Sequence, residues 1–452
     1  MKHPLVEILK NDLQNDIRQM EETGHDPAAL LHEFEQAGDS LDALAALQQD
    51  LWTRPSPADF PYVEPDSWEE ISATFPDPAG FTGFGGTDEE LADRLLAAWE
   101  GRCAGCQLGK PLEGPTWPDR IRKILEFVGS WPLEDYMHPM PGGFAAEMLP
   151  DCEFFQADSK WRNLQCKGQF DRVSTDDDIN YSIFSLLLLE KHGPEFTSEE
   201  AARSFVSSSP LAGLAAAGRN LYRTFIFGIT PPATGVYGNP CRQSLGAQIR
   251  CDPFGWCAPG NPPLAARMAY RDAVNSQTRN GVYSGIFFAT LMADVLAHGD
   301  IGRAIETARS YLPPRSRFAE MVAWIRTECA RTDDWEEINR AILAKYQAEA
   351  RKFNHSLPNG AIVLASLLLG GGDFSRTIGI CVMMGLDTDC TAATAGSIMG
   401  CALGTAGIPR RWIEPFNDRV NTLVVGLQET TISDLARRTF EVARAFMSNA
   451  ER

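Results

Sequence analysis

The most informative run in the chain is Gly385-Leu-Asp-Thr-Asp-Cys-Thr-Ala-Ala-Thr-Ala-Gly-Ser-Ile-Met-Gly-Cys-Ala-Leu-Gly404. Two carboxylates, Asp387 and Asp389, precede small and apolar residues that predict a buried helix. Glycine recurs at every fourth position in its second half, so one face of that helix would lack side chains. Carboxylates beside a core are costly without partners. We therefore expect a cation or the free amides of the helix N-terminus next to them.

A second acidic segment has the same form. Thr175-Asp-Asp-Asp178 leads into the apolar run Ile183–Leu189, which predicts a helix with Ser174 or Thr175 as N-cap and the acids in its first turn. If the two helices pack side by side, five carboxylates meet and need divalent cations between them. All-oxygen ligation favours Mg²⁺, Mn²⁺ or Ca²⁺ over zinc. The alternative is that each acidic group only caps its own helix.

Composition excludes several classes of protein. The 452 residues are 44% hydrophobic with a formal net charge of -19, which predicts a folded protein without stable nucleic-acid binding, since no basic run is present. Charged residues near the start argue against a signal peptide, and no later run suggests a membrane span. We expect a cytoplasmic protein that does not bind membranes. The oligomeric state is left open.

Cysteine and histidine usage argues against structural zinc and disulfides. Eleven Cys are scattered through a long chain, a pattern typical of reduced thiols. Cys103 and Cys106 form a lone C-x-x-C, which is weak support for zinc without a second pair. None of the seven His lies in an H-E-x-x-H arrangement, so zinc hydrolysis through histidines has little support.

Helical periodicity predicts an all-α protein with one large body. We expect a helical N-terminal extension over 1–54, in which Asp26 caps a second helix, and a Pro-rich linker or wrapping segment over 55–86. The body would occupy 87–452 and open with a capping box at Thr87. The aromatic and Pro-rich residues 131–167 predict a long surface loop.

The segment Gly101–Gly114 carries glycine at every fourth position up to Gly109. On a helix this spacing makes a groove in which another backbone can lie close. A phosphate loop is a weaker interpretation, because the Gly-Lys-Ser/Thr ending of such loops is missing.

Together these motifs resemble the ADP-ribosylglycohydrolase family, which includes dinitrogenase-reductase-activating glycohydrolases and J1 crystallins. The resemblance spans about 87–447 and rests on Gly101–Gly114, on Thr175–Asp178 and on Gly385–Asp389. The residues Gly246-Ala-Gln-Ile-Arg250 and Asn280-Gly-Val-Tyr283 look like a bacterial branch of the family.

The resemblance implies a single large orthogonal helical bundle, with 87–452 as the catalytic domain, and two Mg²⁺ ions, or Mn²⁺, that bind ribose hydroxyls. The ligands carried over are Thr175, Asp176, Asp177, Asp387 and Asp389. Because three Asp are consecutive, Asp178 can also be a ligand, with Thr175 only capping the helix. Cys390 stands where relatives have Thr or Ser, so that position would bind metal weakly, use Thr391 instead, or hold a different ion.

By the same resemblance, the enzyme would hydrolyse a glycosidic bond of an ADP-ribosylated protein, nucleic acid or small molecule. Asp177 or Asp178 would be the general base, and Glu113 either an acid on the leaving group or a surface residue. The substrate contacts would be Gly109, Lys110, Arg250, Trp256 and Asn280, with Arg250 on a diphosphate and Trp256 on adenine, unless these two are a buried ion pair and a core residue. The alternatives are a furanosidase or nucleoside-type glycosidase and a non-catalytic ADP-ribose-binding or structural protein.

Overall fold

The computed structural model describes residues 4–77, 83–113, 117–142 and 159–450. The prediction of an all-α fold is confirmed: in these ranges the β-structure is limited to one short antiparallel pair, Arg419–Asn421 with Glu429–Thr431, besides isolated bridges. The first helices are α1 (Pro4–Glu21), α2 (Pro27–Ala37), α3 (Leu41–Thr53), α4 (Trp68–Ser72), α5 (Asp88–Gly109), α6 (Pro118–Phe127), α7 (Ser159–Asn163), α8 (Asp177–His192), α9 (Ser198–Ser208), α10 (Ala216–Ile226) and α11 (Ala233–Val236). The remaining helices are α12 (Asp252–Trp256), α13 (Pro262–Ala273), α14 (Asn280–His298), α15 (Ile301–Arg309), α16 (Arg317–Arg331), α17 (Trp335–Lys345), α18 (Ser356–Leu369), α19 (Phe374–Met383), α20 (Thr388–Leu403) and α21 (Ile432–Ala450).

The N-terminal extension has a small apolar cluster of its own, made by one face of each of α1 to α3. Asp26 caps α2 as predicted, because its Oδ1 accepts the Ala28 amide at 2.9 Å. The helix α2 ends just before Gly38, which has φ 57° and separates α2 from α3. The division of the chain at residues 54 and 86 stays a prediction.

The described part of the Pro-rich segment lies along the body. Val63 donates its amide to the Arg315 carbonyl at 3.0 Å. The buried Glu64 carboxylate pairs with Arg317 at 2.8 Å. Proline removes donors that a regular element would need, and isolated backbone and side-chain contacts to the body hold the segment.

Helices α5 and α20 form the centre of the body with almost no side chain between them. A Cβ added at Gly101 would lie 2.1 Å from the Gly396 carbonyl oxygen, and one at Gly105 would lie 1.9 Å from that of Ala392. Such distances are far below van der Waals contact, so only glycine permits this approach. The predicted groove is present, and α20 occupies it. The capping box at Thr87 is also present.

Three predictions of local structure are corrected. Residues 131–142 have irregular backbone but do not form a wholly surface loop, since Leu133, Tyr136 and Met140 are buried and the Tyr136 hydroxyl donates to the Trp412 carbonyl at 2.7 Å; residues 143–158 lie outside the described ranges. Tyr136 lies in the core, and the partly buried Trp131 packs against it. Helical periodicity also predicts a helix from Trp335 to Lys352, but α17 ends at Lys345. It predicts another helix over 211–219, where the structure has a 3₁₀ turn followed by α10.

One described helix, α14, is long and apolar enough to cross a membrane by length and mean hydropathy alone. This differs from the expectation that no run suggests a membrane span. In the fold, 89% of the most apolar stretch of this helix is buried inside the protein. It packs against α13, α15 and α20.

Glu100 on α5 provides a test of stability against pH. Partial burial and the nearby Asp418 and Asp93 raise its pKa from 4.5 to about 7. Since the ionised form is disfavoured in the folded state, stability should fall as pH rises from about 4.5 through 7. We expect Glu100→Gln to raise the midpoint of thermal unfolding near pH 8 and to change it little near pH 5. A matched Glu35→Gln variant on the exposed face of α2 should show no such difference. An unchanged dependence of the unfolding midpoint on pH in Glu100→Gln would contradict the raised pKa of Glu100.

Candidate metal centre

The α5–α20 contact brings the C-terminal end of α5 against the first turn of α20. The Thr388 hydroxyl donates to the Gly109 carbonyl at 2.9 Å. A Cβ at Gly109 would lie 2.4 Å from the Thr388 carbonyl oxygen. Gly109 therefore serves close backbone packing that sets the position of Asp389.

The first acidic motif is held by a backbone bridge and a cap. Val173 donates its amide to the Arg419 carbonyl at 2.8 Å, which fixes the chain just before the motif. The N-cap of α8 is Asp176, whose Oδ1 accepts the Asp178 amide at 3.1 Å, so the prediction of Ser174 or Thr175 as cap is wrong. Besides accepting this hydrogen bond, the charged carboxylate interacts favourably with the dipole at the helix N-terminus. Thr175 instead accepts the Asn180 side-chain amide at 3.2 Å.

Two buried cations from the glycine-rich segment hold the motif. The Arg102 guanidinium donates to Asp178 Oδ1 at 3.0 Å and to Asp252 Oδ2 at 2.7 Å. Lys110 Nζ donates to the Ser174 carbonyl at 2.6 Å and lies 3.4 Å from Asp176 Oδ2. Lys110 is completely buried. Its observed contacts hold the acidic turn in place.

Cys390 links the two motifs. Potential ligand atoms of Asp177, Asp178 and Cys390 all lie within 4.8 Å of one another, and so do those of Asp387, Asp389 and Cys390. A third group of the same kind joins Cys106 to Asp176 and Asp178. The two acidic motifs therefore meet in space, with thiols beside them.

Three carboxylate oxygens at this meeting point have no donor. Asp178 Oδ2, Asp387 Oδ1 and Asp389 Oδ1 are buried without a hydrogen bond from any described residue. Unpaired buried carboxylate oxygens cost several kcal/mol unless a cation satisfies them. The donor set, hard oxygens supplemented by a thiol, fits a divalent metal ion.

The pKa values reflect this crowding. Burial, then repulsion from Asp176, raises the pKa of Asp389 to about 7. Burial and neighbouring carboxylates raise the pKa values of Asp177, Asp178 and Asp387 well above the ordinary range. For Asp178, Arg102 opposes the rise. A divalent cation would offset the part of these shifts that comes from repulsion between the carboxylates.

Glu113 belongs to the cluster. The largest effect on its carboxyl is repulsion from Asp389, followed by burial and by Asp176, and together they raise its pKa well above the ordinary range. Its backbone carbonyl accepts Arg162 Nη1 at 2.7 Å. Of the two interpretations of Glu113, a site residue and a surface residue, the geometry favours the first. The last residue of the predicted Gly101–Gly114 segment lies outside the described ranges.

Thr391 is engaged within its own helix. Its hydroxyl donates to the Asp387 carbonyl at 2.8 Å, and its side chain also contacts the Cys381 thiol on α19. Cys390, in contrast, lies against both Asp178 and Asp387. Burial, then the Asp178 charge, raises the pKa of the Cys390 thiol well above its usual value.

Three of the residues predicted to contact substrate are buried and engaged inside the protein. Arg250 is buried and donates to Asp272, and to the Ser276 hydroxyl at 2.8 Å, so it has no free face for a diphosphate. The Trp256 ring is fully buried, 4.8 Å from that of Trp99, and cannot stack on adenine. Asn280 is buried too, and donates 2.9 Å bonds to Glu64 and to Gln243. All three serve internal structure.

Several site residues escaped sequence reasoning. Arg102 is a cation in the glycine-rich, mostly apolar second half of α5, and this placement was a signal that a buried acid must face it. The Oδ1 of Asn359 accepts a hydrogen bond from the Asp387 amide at 3.2 Å. A single Asn in an apolar run matches no motif, so the sequence did not indicate this role. Cys106 was grouped with Cys103, whereas the fold groups it with Asp176 and Asp178.

Fold and site together define an all-helical protein with a carboxylate-rich site for divalent metal. A sequence model of the ADP-ribosylglycohydrolase family matches residues 87–447, and the chain belongs to that family of glycohydrolases. A solved structure titled "ADP-ribosylglycohydrolase-related protein complex" is similar at 16% identity with a TM-score of 0.50, over 79% of this chain and 99% of that one. This likeness supports the fold alone. No curated protein matches the chain.

Proposed function

We propose that the protein is a Mg²⁺-dependent hydrolase, with Mn²⁺ as a possible substitute, that cleaves the N- or O-glycosidic bond of an ADP-ribosyl group. The observation that supports this most is the set of donor-less carboxylate oxygens on Asp178, Asp387 and Asp389. Cys390 belongs to two groups of potential ligands, one from each motif, which supports the proposal of two ions.

The residues that would hold the ions are Asp176, Asp177, Asp178, Asp387 and Asp389. When bound, divalent cations supply Lewis-acid activation of hydroxyls and water. Arg102 and Lys110 keep the first motif in place through buried hydrogen bonds, so that its carboxylates need little reorganisation when substrate binds.

The chain's own acids would move the protons. Asp177 or Asp178 accepts a proton from water as the water oxygen bonds to the anomeric carbon. The bond from that carbon to the leaving nitrogen or oxygen breaks, and Glu113 donates a proton to the leaving atom. Asp177 is the better candidate for the base, since Asp178 is bound to Arg102 while Asp177 is partly accessible.

The test compares ADP-ribose release from ADP-ribosylated Arg, Ser and nucleic-acid substrates with cleavage of simple ribosides, with Mg²⁺, with Mn²⁺ and with a chelator. We expect release of ADP-ribose that depends on metal. Cleavage of ribosides alone would reject the ADP-ribosyl substrate in favour of a furanosidase. Absence of bound metal together with no thermal stabilisation by ADP-ribose would reject the enzyme.

Cys390 should set the preference among metals. We expect Cys390→Ser and Cys390→Thr to bind Mg²⁺ several-fold more tightly and Cd²⁺ more weakly, because a hydroxyl oxygen replaces a soft thiol. Isothermal titration would measure both affinities. Cys401→Ser, on the same helix but in the core, should leave the ratio of the two affinities unchanged. An unchanged ratio in the Cys390 variants would contradict a place for this thiol at the ions.

A further inference from the structure

We infer that the N-terminal extension positions Asp387 through a chain of hydrogen bonds that runs from Glu22 to His355 to Asn359. The inference rests on the proposed role of Asp387 as a metal ligand. Residues before 87 lie outside the family match, so Glu22 comes from outside the matched body, whereas His355 and Asn359 lie within it. Glu22, His355 and Asn359 are positioning residues, since they act through Asp387.

Glu22 follows α1 directly and reaches into the body. Its Oε2 lies 3.0 Å from His355 Nε2, and its Oε1 accepts Lys352 Nζ at 3.0 Å. Arg317 donates to the Glu22 carbonyl at 2.7 Å. Burial raises the pKa of the Glu22 carboxyl, but His355 and Lys352 outweigh burial and lower the pKa to about 2. Glu22 is therefore a buried, fully partnered anion.

This contact selects one tautomer of His355. The ring is buried, and its Nδ1 accepts the Leu357 amide at 3.2 Å, which caps α18. A nitrogen that accepts carries no proton, so the ring proton lies on Nε2 and is donated to Glu22. The extension thus holds His355 in the form that caps α18.

Asn359 carries the connection from α18 to the site. Its Nδ2 donates to the His355 carbonyl at 2.8 Å and to the Phe353 carbonyl at 2.7 Å. These bonds fix the amide so that Oδ1 faces the Asp387 amide, which donates to it at 3.2 Å. A displacement of His355 therefore moves the Asn359 oxygen that accepts the Asp387 amide.

The Asp387 backbone needs this support. Leu386 has φ 61° and Gly385 has φ 87°. A leucine in the left-handed region is strained and persists only where surrounding contacts hold it. On the other side of the turn, Asn339 donates to the Met384 carbonyl at 2.9 Å. The turn that presents Asp387 is thus pinned at both ends.

The experiment uses the full chain and three variants. Glu22→Gln removes the charge, and His355→Asn retains a residue that can cap α18 but cannot reach Glu22. Asp16→Asn is the matched control: Asp16 is equally buried and pairs with Arg242, so it ties the same extension to the body through a side chain other than His355. The first readout is amide hydrogen exchange over 385–391, which needs no metal. The second is the Mn²⁺ dissociation constant, together with kcat and KM.

We expect Glu22→Gln and His355→Asn to speed exchange over 385–391 about tenfold and to raise the Mn²⁺ dissociation constant roughly three- to tenfold. Asp16→Asn should alter neither, although its unfolding midpoint falls. Unchanged exchange in the first two variants, or an equal change in Asp16→Asn, would overturn the inference. If exchange responds but the wild-type protein binds no Mn²⁺, the proposed function fails and the positioning of Asp387 stands.

Discussion

Asp177→Asn is expected to lower kcat for ADP-ribose release by roughly a thousandfold while leaving the fold intact, because an amide cannot accept the proton of the attacking water. Asp178→Asn should abolish turnover as well. It should also lower the unfolding midpoint, since Asp178 is the buried partner of Arg102. Steady-state kinetics at saturating metal and thermal unfolding measure the two effects separately.

The control for this pair is Asp171→Asn, on the same segment. Asp171 is exposed and pairs with Arg172 and Arg419 at the surface, where ion pairs contribute little. It should retain wild-type turnover and stability. Turnover close to wild type in both Asp177→Asn and Asp178→Asn would show that the general base does not lie in the first acidic motif.

Gly105→Ala is expected to destabilise the body by about 3 kcal/mol and to impair metal binding. The added Cβ would lie 1.9 Å from the Ala392 carbonyl oxygen, and neither partner is a side chain that can turn away. Helices α5 and α20 must separate, which moves Lys110 and Asp389 apart at the site. Chemical denaturation and Mn²⁺ titration measure both consequences.

Gly302→Ala is the matched control for that substitution. Gly302 also lies in a helix, α15, but its added Cβ would meet nothing closer than Asp300 Oδ1 at 3.4 Å. Because alanine favours a helix over glycine by up to about 1 kcal/mol, this variant should be neutral or slightly stabilised. Equal stability of Gly105→Ala and Gly302→Ala would contradict the contact between the α5 and α20 backbones.

Regular helices were predictable because their signals are local. The cap at Asp26 and the capping box at Thr87 depend on a few adjacent residues, and both are present. The segment 131–142 was misjudged because proline and aromatic content indicates irregular backbone, not exposure. Whether irregular backbone is buried depends on partners far along the chain, such as Trp412 for Tyr136.

The acids of the site were predictable for a different reason. Three consecutive Asp before an apolar helix, and Asp387 and Asp389 before a small-residue helix, conflict with their surroundings unless something satisfies them. Trp256 and Arg250 carried no such conflict. A tryptophan or an ion pair is compatible with either a core or a binding surface, and only packing distinguishes them.

By itself the sequence determined the helical class, the glycine face along which two helices touch, and the two acidic motifs, since each follows from residue type and local spacing. Only the tertiary structure decided how these parts meet: that Asp176 caps α8, that Cys390 lies between the motifs, that Arg102 and Lys110 hold the first motif, and that Asn359 holds Asp387. These contacts join residues far apart in the chain. They depend on the crossing of whole helices, which no local pattern encodes.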